Sequence, residues 1–331
     1  MPAKIYIVSG FLGAGKTTFI QKMIRESFSQ QKVVLIENDF GDISVDSALL
    51  QSSGVEVKEI SSGCICCSLS GDFAAALQQL LKEIQPDIVV IEPSGVGKLS
   101  DILRVCEDER ISSLGKVRGK IAVVDVKRCS LYLDNFGEFF EDQIEHADSI
   151  VFSRVEEFSD KVRQAEDLVR ELNAQAKLFS VPWETLDMQK LLRENSISHQ
   201  NHNHKHDCAC HSTHEHNDES CHDTYDHGHE YGCACKGNHH HAEDVFDTVT
   251  LPINNAYSKH ELEAFIKGIQ NSQYGNVVRA KGIVPTPDGY MNVQYVTGEM
   301  SLTPSDAKGN VLCIIGENLK TQKIKDLFEK G

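Results

Sequence analysis

The sequence predicts an α/β domain with a mainly parallel sheet, followed by a His/Cys-rich tract and a small α+β domain. Short apolar runs alternate with helical patterns along the first part of the chain, as a parallel sheet requires. Residues 199–244 contain no Val, Ile, Leu, Met, Phe or Trp. Apolar runs then return with a turn signal between two of them. We therefore expect domains at residues 1–197 and 245–331, joined by a linker at 198–244.

The first domain opens with an apolar run, a glycine-rich loop and a helix. In this helix Phe19, Ile20, Met23 and Ile24 recur at the spacing of one helical face. The alternation of strands and helices then continues to residue 194. The predicted strands cover residues 5–8, 33–36, 55–60, 88–91, 121–124, 149–152 and 178–181, and the predicted helices cover 17–28, 73–84, 162–172 and 185–194.

The His/Cys-rich tract has too little apolar surface to offset the entropy cost of ordering, so we expect it to be disordered without metal. The chain after it predicts an antiparallel sheet with helices on one face. Asp288-Gly289 supplies a hairpin turn between two of its strands. The predicted strands cover residues 245–251, 277–284, 290–296 and 311–315, and the predicted helices cover 258–269 and 319–328.

The composition limits the function before any motif is considered. A net charge of −16 over 331 residues argues against nonspecific binding to nucleic acid, which requires a basic surface. No run of about eighteen apolar residues offers a membrane span, and residues 1–8 lack the features of a signal peptide. We expect a cytoplasmic protein with no nucleic-acid or membrane partner, whose 11 cysteines are thiols or metal ligands.

Residues 10–17 read Gly-Phe-Leu-Gly-Ala-Gly-Lys-Thr and match the P-loop pattern between a strand and a helix. Glycines let backbone N–H groups surround phosphates at a helix N-terminus. Lys16 would reach the β- and γ-phosphates, and the Thr17 hydroxyl would bind Mg²⁺. A glycine-rich turn without a ligand is the alternative. The predicted nucleotide contacts in this segment are Gly10, Gly13, Ala14, Gly15, Lys16, Thr17 and Thr18.

Two further loops are predicted at the same edge of the sheet. Glu92 and Gly95 follow a predicted strand, at the end where parallel sheets bind ligands. Glu92 would bind Mg²⁺ or orient the attacking water, and the Gly95 amide would sense the γ-phosphate; a capping carboxylate in a proline turn is the alternative. Glu37 and Asp39 lie in an acidic loop that would change shape when the γ-phosphate leaves. A solvated acidic turn is the alternative there.

Residues 63–67 read Gly-Cys-Ile-Cys-Cys. Thiolates bind zinc and similar cations, but Cys64, Cys66 and Cys67 supply at most three of the four ligands of a closed tetrahedral site. We therefore predict an open or transferable metal site. A redox pair with a spare thiol and a group of inert structural thiols are the alternatives.

The tract at residues 199–244 holds thirteen of the 15 histidines and five of the 11 cysteines. Their irregular spacing predicts several weak, exchanging metal sites rather than one folded zinc site. A spacer that binds metal adventitiously is the alternative. Outside the tract, we expect His146 and His260 to be surface or capping residues, and Cys106, Cys129 and Cys313 to be ordinary buried thiols.

The P-loop, the acidic loop, the cysteine segment and residues 92–95 occur in an order that resembles the CobW-like family of P-loop GTPases. Residues 279–283, Arg-Ala-Lys-Gly-Ile, resemble that family's second domain. The resemblance implies a GTP hydrolase that uses Mg²⁺ and acts as a metallochaperone. GTP binding would help close the cysteine site around a metal, and hydrolysis to GDP would release the metal to a client metalloprotein. Sulfur ligands favour zinc, and cobalt shares the geometry.

One segment departs from the family pattern. Where the family usually reads guanine with Asn-Lys-x-Asp, this chain has Ser153-Arg154-Val155-Glu156. Glu156 would accept the two N–H donors of the base, the Arg154 stem would stack on the ring, and Ser153 is a shorter partner than Asn. We expect a retained, if relaxed, GTP preference. The resemblance implies catalytic roles for Lys16, Glu92 and Glu37, a switching role for Gly95, and metal binding by Cys64, Cys66, Cys67, Asp39 and, for Mg²⁺, Thr17.

Two other functions are compatible with the sequence. A metal storage or buffer protein with a regulatory nucleotide site would use the tract as its main store. It would bind many ions regardless of nucleotide, whereas a chaperone has one tight site whose affinity responds to GTP. A P-loop kinase acting on a small molecule is the third hypothesis, but it leaves the cysteines without a role.

Overall fold

A computed structural model describes residues 2–37, 56–59, 69–198 and 245–329 of the chain. Its first part contains a seven-stranded sheet in the order β3-β2-β4-β1-β5-β6-β7, in which every neighbouring pair is parallel. β1 is central, so its carboxyl end opens between β4 and β5, where ligands of such sheets bind. The strands are β1 (Ala3–Ser9), β2 (Val33–Glu37), β3 (Glu56–Glu59), β4 (Ile88–Glu92), β5 (Gly115–Asp125), β6 (Ser149–Ser153) and β7 (Lys177–Phe179).

Helices cover both faces of this sheet because side chains alternate along each strand. Ile5 and Ile7 pack in one apolar cluster with α2 to α6. Tyr6 and Val8 pack in a second cluster, on the opposite face, with α1 and α7. The helices are α1 (Lys16–Ser27), α2 (Leu69–Ile84), α3 (Leu99–Glu107), α4 (Glu109–Ser112), α5 (Cys129–Glu145), α6 (Ser159–Leu172) and α7 (Met188–Ser198).

The C-terminal part forms a five-stranded antiparallel sheet in the order β11-β10-β9-β12-β8. Helices α8 and α9 pack on one of its faces, around Leu262, Ile266 and Ile324. Ser258 and Glu261 form a capping box that fixes the start of α8. The elements are β8 (Asp247–Pro252), α8 (Lys259–Gly268), β9 (Asn276–Thr286), β10 (Gly289–Val296), β11 (Glu299–Pro304), β12 (Val311–Glu317) and α9 (Thr321–Glu329).

The other face of the C-terminal sheet packs against the first domain. Phe246 contacts two aromatic rings of α5, with centroids 5.6 Å from Phe136 and 5.4 Å from Phe139. Val278 and Ile315 join the same apolar cluster as the first domain's sheet. The two sheets are therefore joined through a shared apolar layer built on α5.

The predicted α/β fold with a following α+β domain is confirmed, and its elements differ from the prediction in number and extent. Helices α3, α4 and α5 lie outside the predicted ranges. β5 begins at Gly115, whereas the predicted strand covers 121–124. The first half of β5 was not predicted because Lys116, Arg118 and Lys120 interrupt the apolar pattern that marks the second half. β11 was not predicted. It is an edge strand, pairs only with β10 among the described strands, and carries few apolar residues. No helix in the described ranges is long and apolar enough to span a membrane.

Candidate nucleotide-binding site

The loop between β1 and α1 curls around the N-terminus of α1. Gly10 and Gly15 have positive φ angles of 144° and 98°, which favour glycine. A Cβ at Gly10 would lie 2.4 Å from the carbonyl oxygen of Val123, so no side chain fits there. Gly15 caps α1 without a side-chain hydrogen bond, and the first turn of α1 has no acidic residue. The first N–H groups of α1 are thus well suited to an anion.

Lys16 and Thr17 begin α1, directly beyond this loop. Lys16 is buried, and its Nζ lies 3.5 Å from the Phe11 carbonyl oxygen. Thr17 Oγ1 donates to the Glu92 carboxylate, at 3.2 Å from each of its oxygens. Hydroxyl and carboxylate oxygens are ligands that Mg²⁺ accepts, so this pair fits the predicted ion. In the same segment, Ala14 is buried and Thr18 is exposed.

The two predicted carboxylates end neighbouring strands. Glu37 of β2 and Glu92 of β4 are partners in the parallel register. The side chains two and four residues before each carboxylate are buried in the apolar cluster on the α1 side of the sheet. Because side chains alternate along a strand, Glu37 and Glu92 point to that same side, which is the side of Thr17. Glu37 is buried. The structure therefore brings Glu37, Glu92 and Thr17 to one edge of the sheet.

The loop after β4 is pressed against the P-loop. A Cβ at Gly95 would lie 3.0 Å from both the backbone N and the Cα of Leu12, so glycine is required by close approach. Gln143 of α5 is buried, and its Nε2 donates to the carbonyl oxygens of Gly95 at 3.2 Å and Gly97 at 2.8 Å. A displacement of the 93–97 loop would therefore change its contacts with both the P-loop and α5.

The predicted metal ligands Asp39, Cys64, Cys66 and Cys67 lie outside the described residues. The chain enters the cysteine segment from β3, whose last residue, Glu59, is the register partner of Glu37. It leaves this segment into α2. In a β-strand followed by a helix and a parallel strand, the intervening loop starts at the carboxyl edge of the sheet. Glu59, the last described residue before the cysteine segment, therefore lies at the edge that carries Glu37 and Glu92.

The segment predicted to read the base follows β6. Ser153 is buried, and its hydroxyl donates to the Val124 carbonyl oxygen at 3.5 Å. Arg154 has a φ of 60°, an uncommon conformation for a non-glycine residue. Glu156 is exposed. The Ser153 hydroxyl thus points into the sheet, which leaves Arg154 and Glu156 as the side chains available to a base.

Trp183 is a site residue that the sequence reasoning missed. A Cβ at Gly15 would lie 3.0 Å from Cη2 of Trp183, so the indole borders the P-loop. Its Nε1 donates to the Phe152 carbonyl oxygen at 2.8 Å, and its ring lies edge-on to Phe19. The signal was present in the sequence, because the only Trp of the chain follows the last strand of the sheet, at its ligand-binding edge.

An aromatic cluster lies behind the P-loop. Phe11 contacts three rings of α5, with centroid distances of 4.5 Å to Tyr132, 5.1 Å to Phe136 and 6.2 Å to Phe140. The Tyr132 hydroxyl donates to the Leu12 carbonyl oxygen at 3.0 Å. Burial raises the pKa of Tyr132, so the hydroxyl stays a donor at physiological pH. This cluster therefore anchors the P-loop backbone to α5.

The C-terminal domain also reaches the site. A Cβ at Gly13 would lie 2.6 Å from a methyl carbon of Val296, at the end of β10. At the start of β11, Glu299 accepts hydrogen bonds from Lys127, from Arg128 at 2.6 Å and from Arg154 at 2.6 Å. Burial raises the pKa of Glu299, but these hydrogen bonds outweigh it and bring the pKa to about 2.

Comparison with known proteins fits this geometry. A family model described as the nucleotide-binding domain of CobW/HypB/UreG matches residues 4–180, and the cobalamin synthesis protein cobW C-terminal domain matches residues 246–331. The chain belongs to the CobW/HypB/UreG family. The predicted resemblance to CobW-like GTPases is thereby confirmed, and the P-loop, Glu92 and Ser153 all lie within the first matched region.

Relatives of this family member include the zinc chaperone YjiA of Escherichia coli (strain K12), which is 31% identical over 202 residues, covering 59% of this chain and 63% of YjiA. The zinc-regulated GTPase metalloprotein activator 1 of Saccharomyces cerevisiae is 26% identical over 215 residues, covering 57% and 50%. The chain thus spans between half and two thirds of these two proteins. A crystal structure of Zn(II)-bound YjiA GTPase from E. coli superposes with a TM-score of 0.46 and 21% identity, covering 100% of this chain and 99% of that one.

The isolated thiols and histidines of this CobW/HypB/UreG protein are not ligands of a described site. Cys106 and Cys129 are buried, and burial raises the pKa of each thiol to about 12. His146 caps α5 and His260 lies in the first turn of α8, as predicted. Cys313 is half-buried. Within the described ranges, no group of three or more His, Cys, Asp or Glu residues could hold a metal ion.

Proposed function

We propose that the protein is a GTP hydrolase that acts as a metallochaperone, coupling GTP binding and hydrolysis to delivery of a transition metal to a client metalloprotein. The contact between Thr17 Oγ1 and the Glu92 carboxylate carries this proposal. It joins the helix that would hold the phosphates to the end of β4. The register neighbour of Glu92 there, Glu37, pairs in turn with Glu59, the last described residue before the cysteine segment.

The P-loop would bind the phosphates of GTP. Backbone N–H groups at the start of α1 donate to the phosphate oxygens, and Lys16 supplies a buried positive charge beside them. Thr17 and Glu92 would hold Mg²⁺, directly or through water. That ion supplies neutralisation of the charge that develops on the transferring phosphoryl group. Glu92, and Glu37 at the next strand, would orient the attacking water.

The Gly95 loop is suited to report the γ-phosphate. Its backbone touches Leu12 of the P-loop, and its carbonyl oxygens are held by Gln143. Loss of the γ-phosphate would let this loop shift, and the contacts with Leu12 and Gln143 would pass the shift to the P-loop and to α5. In the same event the acidic loop that begins at Glu37 would change shape.

We further propose that Cys64, Cys66 and Cys67, with Asp39, bind the transported metal, and that this metal is zinc in preference to cobalt. Thiolate ligands favour zinc, and two of the relatives have zinc in their names. The linker at 198–244 would hold further ions weakly. Glu37 would link the metal and nucleotide sites, and the protein would act in the cytoplasm, where thiols stay reduced.

For the base, we propose a GTP preference that rests on Glu156, with Arg154 stacking on the ring and without a contribution from the Ser153 hydroxyl. Ser153 already donates to Val124. Glu156 is exposed and free to accept from the Watson–Crick edge of guanine. Calorimetric titration with GDP and ADP tests this point, and equal affinity for the two would contradict it.

The function is tested by zinc affinity of the full chain with GDP and then with a nonhydrolysable GTP analogue, each with Mg²⁺. Cys66→Ser is the matched variant, because it removes one ligand and leaves the histidine tract unchanged. We expect one tight zinc site that strengthens with the analogue in the wild type and is absent from the variant. By linkage, zinc must then favour the GTP analogue equally. Zinc binding that ignores the nucleotide would contradict the proposal and favour the storage function.

A further inference from the structure

The turn between β10 and β11 brings the C-terminal domain to the edge of the nucleotide site. It joins Val296, which lies against Gly13, to Glu299, which lies against Arg154. Gly298 has a φ of 81°, so the turn uses a glycine conformation to reverse the chain at this point. Gly13 belongs to the P-loop and Arg154 to the segment predicted to contact the base. One hairpin of the second domain therefore contacts both ends of the proposed site.

Arg154 is held at its far end. Its Nη1 lies 2.6 Å from a carboxylate oxygen of Glu299 and 3.6 Å from a carboxylate oxygen of Asp125. Asp125 is already paired with the buried guanidinium of Arg128 at 2.7 Å. Without Glu299, two guanidinium groups would share one buried carboxylate. Glu299 is therefore the residue that satisfies the charge of Arg154.

The ion pair with Glu299 fixes the guanidinium of a side chain that is only partly buried. The Arg154 side chain is 30% exposed, and its residue directly follows the carboxyl end of β6. Arginine stacks on aromatic faces with its flat group and its stem. A long side chain normally loses rotamer entropy when it is ordered against a ligand. The ion pair with Glu299 fixes the Arg154 side chain before a base binds, so less rotamer entropy is lost on binding.

We propose that Glu299 is a positioning residue for nucleotide binding, which acts through Arg154 to hold its side chain in place for stacking on the purine ring. This inference rests on the proposed function, because it requires that a nucleotide binds at the P-loop. It gives the C-terminal domain a part in nucleotide affinity. By linkage, a bound purine would also strengthen the contact between the two domains.

A ligand without a base separates this role from a structural one. GDP has the purine ring, whereas inorganic pyrophosphate contacts only the phosphate end of the site. We expect Glu299→Gln to weaken GDP binding about tenfold, a difference of about 1.4 kcal/mol, and to leave pyrophosphate binding unchanged. Stacking tolerates any base, so ADP binding should fall by the same factor and the ratio of GDP to ADP affinity should stay constant.

The experiment uses the full chain and measures Kd by calorimetry with Mg²⁺. Arg154→Met removes the guanidinium and leaves Glu299 with Lys127 and Arg128, so it provides a second variant if Glu299→Gln folds poorly. If Glu299 acts through Arg154, the double variant will bind GDP no more weakly than Arg154→Met alone. Glu138→Gln is the control, because it removes the charge of an α5 acid that pairs with Lys98, at 2.5 Å, in an ion pair that does not include Arg154.

Three results would overturn the inference. They are unchanged GDP affinity in Glu299→Gln, an equal loss of GDP and pyrophosphate affinity, and additive effects in the double variant. A wild-type chain that binds no GDP would contradict the proposed function itself, and with it this inference. The two failures are therefore distinguished by the wild-type titration alone.

Discussion

Thr17 Oγ1 lies 3.2 Å from both carboxylate oxygens of Glu92, although 75 residues separate the two in the chain. The contact closes the site across two elements, the first turn of α1 and the last residue of β4. Hydroxyl and carboxylate together offer oxygen ligands to a hard cation. The pair is the most direct target for testing hydrolysis.

Glu92→Gln should lower kcat for GTP hydrolysis by about a hundredfold, because the neutral amide cannot hold Mg²⁺ or orient water as the carboxylate does. Phosphate release in the presence of Mg²⁺ measures this. The matched control is Glu26→Gln on α1, where Glu26 pairs with Lys22 at 2.6 Å. Wild-type kcat in Glu92→Gln would show that Glu92 only caps the loop.

The intrinsic fluorescence of Trp183 should report nucleotide binding. It is the only Trp of the chain, and it borders Gly15 of the P-loop. Phosphates and Mg²⁺ bound beside the indole would change its electrostatic surroundings, so titration with GDP should shift or quench its emission. Trp183→Phe gives the background from the eight tyrosines. Calorimetric binding of GDP without any change in Trp183 emission would contradict this expectation.

Phe246→Ala should lower the free energy of unfolding by about 3 kcal/mol, because it removes a buried ring that packs on Phe136 and Phe139. Urea denaturation measures the change. Leu131→Ala is the control, on α5, the helix that carries Phe136 and Phe139. That side chain is 40% exposed, so its truncation should cost less than about 0.5 kcal/mol. Equal effects of the two variants would mean that the domains are not joined through this layer.

The contribution of Glu299 to stability should be lost in acid. Its pKa is about 2 in the folded chain, below the ordinary value of about 4.3 in an unfolded chain. A depressed pKa stabilises the fold above the unfolded pKa, and this stabilisation declines as the pH falls from about 5 towards 2. The difference in Tm between wild type and Glu299→Gln should therefore be largest near neutral pH and should shrink below pH about 4. A difference that stays constant with pH would contradict the ion pairs described for Glu299.

Cys106 and Cys129 should resist alkylation. Burial raises the pKa of each to about 12, so the reactive thiolate is scarce at pH 8. Mass spectrometry after iodoacetamide treatment should find both unmodified in the native chain and both modified in urea. Native labelling at the rate seen in urea would show that these thiols are accessible and would contradict their assignment as buried thiols.

The part of the site that local sequence determines was predictable. The glycine spacing of the P-loop fixes the turn before α1, and the carboxyl ends of parallel strands must share one edge, which explains why Thr17, Glu37 and Glu92 were expected together. The C-terminal contribution was not predictable. Glu299 lies 145 residues from Arg154 in the chain, and their contact depends on how two separately patterned sheets pack. A single acid on a polar edge strand carries no sequence signal of that partner.

Trp183 also fixes a distance. Its ring borders Gly15, at the phosphate end of the site, while its Nε1 is bonded to the carbonyl oxygen of Phe152, just before the base-contacting segment. An indole has only two side-chain torsions, so it behaves as a rigid spacer. The indole thereby ties the start of α1 to the end of β6. In the proposed site, a nucleotide would reach from Gly15 to the residues after β6, whereas a free base or a free phosphate would occupy one end alone.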